Sequence, residues 1–132
     1  MSPFVLVMVG AFLLSAWTIH AVQERIPTGK IGINPAVGIR TRYTMANEDT
    51  WRAGHRDATP QLRAVGRTFL ITAVLGAVLF VLSVVAVPGL SMDVLTVTFV
   101  VVTIAGSVLA LVFSFLAAHK ANEAAKTVLE TA

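Results

Sequence analysis

Three long runs of the sequence contain no Asp, Glu, Lys or Arg: residues 3–21, 69–87 and 94–118. A helix of about 20 apolar residues crosses the ~30 Å hydrocarbon core of a bilayer. Backbone N–H and C=O groups find no water in that core, so each run must be helical to satisfy its own hydrogen bonds. The third run has 25 residues and is predicted to tilt or to extend beyond the core.

The composition also indicates an integral membrane protein. The 132 residues are 56% hydrophobic and 13% charged, and the mean hydropathy is +0.81. A soluble fold of this length could hardly bury so much apolar surface. The absence of cysteine excludes disulfides, iron–sulfur clusters and thiol catalysis. We therefore predict one all-α membrane domain over residues 1–132, with three transmembrane helices.

The basic residues predict the orientation, because Lys and Arg near the ends of spans mark the cytoplasmic side. Two of the ten follow the third run, and the turn between the last two runs has only Asp93 as a charged residue. The amino end lacks the basic residues of a cleaved secretory signal, which favours a retained anchor. We predict the amino terminus outside and the carboxyl terminus in the cytoplasm. The other eight basic residues are Arg25, Lys30, Arg40, Arg42, Arg52, Arg56, Arg63 and Arg67.

The polar stretch, residues 22–67, is predicted to be a cytoplasmic loop that contains a short interfacial helix. Two prolines and two glycines within residues 27–35 indicate ordered loop. Asn47, followed by two acids, is a typical helix start, so we predict a helix over about 48–56 with Trp51 turned toward the membrane. Thr59-Pro60 is a second start signal, at which the second spanning helix is predicted to begin.

Small residues recur at helix-contact spacing within the last two runs. Ala73 with Ala77, and Gly106 with Ala110, would let two helix backbones approach closely. The pattern fits packing inside the three-helix unit and contact in a homo-oligomer equally well.

Basic residues near the glycines of the loop suggest an anionic-lipid site. Lys30, Arg40 and Arg42 could hold a lipid headgroup at the inner surface, or they could serve topology alone. Because the basic residues flank membrane segments, we do not predict nucleic-acid binding.

Metal binding and catalysis are not predicted. His20 with Glu24, and His119 with Glu123, lie one helical turn apart and could converge on a metal, but a histidine is common at a membrane interface. The charge-free runs lack the Asp, Glu or Arg of ion pathways. No nucleophile, base and orienting group occur together in the loop, so we predict neither an enzyme nor a cofactor.

A motif in the polar stretch resembles the signature of the SdpI family of bacterial membrane proteins. That family pattern is approximately Asn-Pro, Gly-Ile-Arg-Thr, a Thr three residues on, an acidic residue, Trp, His-Arg, and a glycine before the next span. The present sequence fills these places with NPAVGIRT at 34–41, then Thr44, Asn47-Glu48, Trp51, AGHR at 53–56, and Gly66.

The resemblance implies a bacterial plasma-membrane protein with an immunity role. Characterised members protect the producing cell from a secreted toxic peptide that attacks its membrane, and they can hold a transcriptional repressor at the membrane. A toxic peptide or a cytoplasmic regulator would then be the partner, besides the bilayer itself. This sequence has three spans, fewer than the longer members.

We therefore predict a membrane immunity or stress-signalling protein that gives resistance to a membrane-active toxic peptide. The alternatives are an anionic-lipid-binding or lipid-processing membrane factor and a structural subunit of a membrane complex. Whether the motif residues contact a partner or only brace the fold stays open at this point. The candidate site residues are Asn34, Gly38, Arg40, Thr41, Trp51, His55 and Arg56.

Overall fold

The computed structural model describes residues 1–85 and 87–132, which form three helices and no strand. The helices are α1 (Phe4–Arg25), α2 (Glu48–Val85) and α3 (Met92–Thr131). Residues 26–47 form the connecting loop between α1 and α2. All three helices are long and apolar enough to cross a membrane. The predicted all-α fold with three transmembrane-capable helices is therefore confirmed.

Two of the helices are much longer than a membrane crossing. At about 1.5 Å per residue, α2 and α3 are each nearly 60 Å long, about twice the ~30 Å hydrocarbon core. Each therefore extends far outside the bilayer. The predicted second span ends at residue 87, two residues after the end of α2 at Val85. Residue 86 lies outside the described residues.

The predicted short helix and its break at Thr59-Pro60 are wrong. Residues 48–85 form one continuous helix with Pro60 inside it. Pro60 lacks the N–H that would bond the carbonyl of Arg56. Pro60 lies on the exposed surface of α2, where water can satisfy that carbonyl. Tertiary packing on both sides of the proline keeps the helix unbroken, because Ala58 and Val65 are buried.

The core between the spans is built from small and apolar residues of all three helices. Val9 of α1, Ala73 of α2 and Phe99 of α3 belong to one buried cluster. Further along, a Cβ atom at Gly106 would lie 2.1 Å from Oγ1 of Thr72, so α2 and α3 are in close contact there. The small residues thus pack within the three-helix unit, and the homo-oligomer stays a prediction.

The helix ends that carry the basic residues meet at one end of the molecule, called here the basic end. There α3 continues past its apolar run and packs on the first turns of α2. A Cβ atom at Gly54 would lie 2.9 Å from the carbonyl oxygen of Ala121, and Ala58 packs against Ala117 and Ala121. The opposite end has the predicted tight turn, in which Leu90 N–H donates to the carbonyl of Val87 over 3.1 Å.

Candidate functional site

The connecting loop folds onto the first turns of α2 and brings most of the candidate residues together. Trp51 and His55 are completely buried beneath it. The prediction that Trp51 faces the membrane interface is therefore wrong, because its side chain packs inside the protein. Arg56 is exposed on α2, and the described residues give its side chain no hydrogen-bond partner.

His55 of α2 holds the loop through one ring nitrogen and bonds a carbonyl of its own helix through the other. The N–H of Ile39 lies 2.7 Å from Nε2, and the carbonyl oxygen of Trp51 lies 2.7 Å from Nδ1. A backbone N–H can only donate and a carbonyl can only accept. His55 is therefore a neutral ring that carries its proton on Nδ1 and accepts at Nε2.

Burial favours the same neutral state. Desolvation lowers the pKa of His55 below its ordinary value of 6.5, and the hydrogen bond to the carbonyl of Trp51 only partly opposes that shift. A second proton would put an N–H at Nε2, facing the N–H of Ile39. Because both nitrogens are already occupied by backbone groups, His55 braces the loop and has no free position for general base chemistry.

Trp51 and Gly38 set how closely the loop approaches the helix. The indole Nε1 donates to the carbonyl of Ile31 over 3.2 Å, and the indole and His55 rings lie 4.3 Å apart. Gly38 has φ of +98°, and a Cβ atom there would lie 2.7 Å from both Nε2 of His55 and Cη2 of Trp51. Only glycine fits this conformation and this space.

Asn34 and Arg40 shape the loop itself. The side-chain oxygen of Asn34 accepts from the N–H groups of Ala36 (3.0 Å) and Val37 (2.9 Å). The guanidinium of Arg40 donates to the carbonyl of Pro35 and is otherwise exposed. Asn34 is therefore occupied with local turn structure, whereas Arg40 keeps most of its five N–H donors available at the surface.

Hydrogen bonds of threonine hydroxyl groups link the loop to the start of α2. Thr44 is completely buried; its Oγ1 donates to the carbonyl of Ile39 over 2.8 Å and accepts from the N–H of Thr41 over 2.8 Å. Asn47 caps α2 as predicted, because its Oδ1 accepts from Thr50 N–H while Thr50 Oγ1 accepts from Asn47 N–H. Thr41 thus acts through Thr44 in bracing the loop.

Three residues outside the predicted site contribute to this structure: Thr44, Glu48 and Thr50. The carboxylate of Glu48 accepts from the N–H of Ile33 over 3.1 Å, and a Cβ atom at Gly32 would lie 2.9 Å from that carboxylate. The role of Thr50 could have been predicted from the sequence, because it stands three residues after the capping Asn47. No sequence signal indicated that Glu48 would reach back fifteen residues to the loop.

The basic residues proposed for lipid binding all lie on the surface. Lys30, Arg40 and Arg42 are exposed. Within the part of the chain that the structure describes, no carboxylate lies within 4.0 Å of any of them. They give the loop an uncompensated positive surface, and the lipid site there stays a prediction.

The two His-x-x-x-Glu pairs do not assemble a metal centre. Within residues 1–85 and 87–132, no group of three or more His, Asp or Glu side chains is arranged to hold a metal ion. His20 instead lies with its Nδ1 3.4 Å from the side-chain amide nitrogen of Gln23.

Three transmembrane-capable helices and a braced polar loop define a multi-pass membrane protein. The sequence model of the SdpI/YfhL protein family matches residues 30–118, which include the loop motif, α2 and the whole apolar run of α3. The chain belongs to this family. Comparisons with curated proteins and with solved structures give no match.

We expect Gly38→Ala to lower the free energy of unfolding by about 1–3 kcal/mol more than Gly89→Ala does, because only Gly38 adds a steric clash. Both glycines have positive φ, +98° and +84°. Alanine should therefore cost about 1–2 kcal/mol at either position. A Cβ atom at Gly89 meets no atom within 4 Å. Unfolding of both variants in the same detergent measures the difference, and equal losses would contradict the packing of Gly38 on Trp51.

Stability should depend on pH through His55. Its pKa is lowered in the folded state, so unfolding takes up a proton once the pH falls below about 6.5. The neutral ring of His55 makes its full contribution to the free energy of unfolding above pH 6.5. That contribution is lost as the pH falls toward the lowered pKa, at up to about 1.4 kcal/mol per pH unit. His55→Gln should flatten this dependence, whereas His119→Gln, at an exposed position, should keep it. An unchanged pH profile in His55→Gln would refute the assignment.

Proposed function

We propose that this chain is a membrane immunity protein that gives a bacterial cell resistance to a membrane-active toxic peptide, or signals the resulting stress. The supporting observation is membership of the SdpI/YfhL family over residues 30–118, together with a complete family motif. On this proposal the chain is not an enzyme. Its partner is the toxic peptide itself or a cytoplasmic regulator that responds to it.

The geometry supports a division of labour within the motif. The rings of Trp51 and His55 are buried and hydrogen-bonded to backbone, which suits a bracing role. Arg40 is exposed and uses a donor on Pro35, so its remaining guanidinium donors can bind carbonyl, carboxylate or phosphate groups of a partner. We assign the contact role to Arg40 and the bracing role to the buried residues.

The proposed location is the bacterial plasma membrane, with the amino terminus outside and the basic end in the cytoplasm. The support is the charge distribution: all ten Lys and Arg residues belong to segments that meet at the basic end, while the opposite turn carries only Asp93. A toxic peptide that arrives from outside must therefore insert across much of the bilayer to reach Arg40, whereas a cytoplasmic regulator reaches it directly.

Single cysteines test this orientation, since the native chain has none. Ala46 and Met92 are both exposed, at the basic end and at the start of α3 respectively. In intact cells a membrane-impermeant maleimide should label Met92→Cys and leave Ala46→Cys unlabelled until the membrane is permeabilised. Labelling of Ala46→Cys in intact cells would reverse the proposed topology.

Immunity is tested by survival of a peptide-sensitive Gram-positive host that expresses the native chain, Arg40→Ala or Lys126→Ala at matched membrane abundance. The native chain should raise the peptide concentration that halves survival. Arg40→Ala should lower that concentration about tenfold relative to the native chain, the factor expected when one charge-assisted hydrogen bond is lost.

Lys126→Ala is the matched control, because it also removes an exposed basic group at the basic end and a surface ion pair of 3.8 Å. It should protect as well as the native chain. Full protection by Arg40→Ala would remove Arg40 from the contact role. No protection by the native chain against any membrane-active peptide would contradict immunity.

A further inference from the structure

A crevice between α1 and α2 plays no part in the site described above. Its volume is about 510 Å³. It lies between the part of α1 that leads to the basic end and the part of α2 that leads away from it. Its lining residues are Leu13, Ala16, Trp17, His20, Gln23 and Glu24 of α1, and Arg63, Gly66, Arg67 and Leu70 of α2.

The crevice is polar at one end and apolar at the other. Its residues recur every three or four positions on each helix, so each helix contributes one continuous stripe. Glu24 of α1 faces Arg63 of α2 at the basic end, and both stripes become apolar away from it, toward Leu13 and Leu70. Over about 16 Å, the rise of eleven helical residues, the surface changes from charged to hydrocarbon-like.

The polar end carries uncompensated positive charge. Arg63 Nη2 lies 3.8 Å from Glu24 Oε1, with both side chains about half exposed (52% and 57%). Such a solvent-exposed pair is weak. Arg67, one turn further along the same stripe, has no carboxylate within 4.0 Å among the described residues. Two guanidinium groups therefore face one carboxylate, and an anion would complete the charge balance.

A buried amide at the same end has an unused acceptor. Gln23 is 5% exposed, and its Oε1 is buried without a hydrogen-bond partner. Its amide nitrogen is 3.4 Å from Nδ1 of His20. A buried acceptor without a donor costs free energy, so turning this amide toward a ligand hydroxyl in the crevice would be favourable.

The apolar end opens toward the hydrocarbon of the bilayer. Trp17 is 67% exposed and Leu70 is 48% exposed, although both line the crevice. An acyl chain can enter from the side and cover them, while a small free anion would leave this half uncovered.

From these features we infer that the crevice binds one anionic phospholipid whose headgroup carries a hydroxyl, such as phosphatidylglycerol. Its phosphate lies against Arg67 and Arg63, and one acyl chain runs along Trp17 and Leu70. Its headgroup hydroxyl donates to Oε1 of Gln23 once that buried side chain turns toward the crevice. This site is separate from the exposed basic surface of the connecting loop.

The test measures lipid that stays with the protein after detergent extraction. The full chain is reconstituted into vesicles of equal phosphatidylglycerol and phosphatidylethanolamine, re-extracted, and its bound phospholipids are quantified by mass spectrometry. The native chain should retain phosphatidylglycerol in preference to phosphatidylethanolamine. Arg67→Gln should reduce that preference about fivefold, the effect of one basic residue at an anionic lipid surface.

Two further variants separate binding from folding and from general charge. Gly66→Leu keeps every charge and fills the crevice; a Cβ atom there makes only ordinary contacts, 3.6 Å from Cγ2 of Ile19. It should abolish the preference, whereas Arg67→Gln only reduces it. Lys126→Gln removes an exposed positive charge from α3, outside both basic surfaces, and should retain the preference. Thermal unfolding midpoints of all variants check that the fold is intact.

Several outcomes would overturn the inference. They are an unchanged preference in Arg67→Gln and Gly66→Leu, an equal loss in Lys126→Gln, and complete displacement of the lipid by an excess of inorganic phosphate. The second would indicate a diffuse electrostatic effect, and the third would indicate a site for free anions.

Discussion

The two hydrogen bonds of His55 are the constraint on which the basic end depends. One buried ring accepts from Ile39 in the connecting loop and donates to Trp51 in α2, so the loop and the helix are fixed by the same side chain. Leaving a buried polar group unpaired costs about 1–3 kcal/mol. Both bonds are therefore made together, and the loop must come close enough that only glycine fits at position 38.

Helix α2 runs without a break from the turns beneath the loop into the membrane-spanning segment. A proline inside a helix costs about 3 kcal/mol, and at Pro60 that cost is offset by contacts on both sides of it. Ala58 packs on Ala117 and Ala121 of α3, and Thr59 donates its hydroxyl to the carbonyl of His55 over 2.9 Å. No break in the helix therefore separates the turns that hold the loop from the membrane-spanning segment.

Much of the fold was predictable because charge and hydropathy alone determine which runs enter a bilayer. Asn47 as a helix cap and the turn at Pro88-Gly89 were also predictable, since their signals are local. The continuity of α2 through Pro60 and the burial of Trp51 were not, because both depend on partners distant in sequence. Trp51 is buried since the loop supplies the carbonyl of Ile31 to its indole N–H, a pairing that no local pattern indicates.

One buried side chain borders two cavities of the molecule. Gln23 lines the lipid crevice between α1 and α2, and it also lines a second cavity of about 360 Å³ that reaches Gly38 and His55 beneath the loop. Interiors are close-packed, so a buried amide that reorients on one side alters the packing on the other. A headgroup that engages Oε1 of Gln23 therefore acts on a residue that borders the braced loop. The crevice between α1 and α2 and the cavity beneath the connecting loop therefore share this one buried side chain.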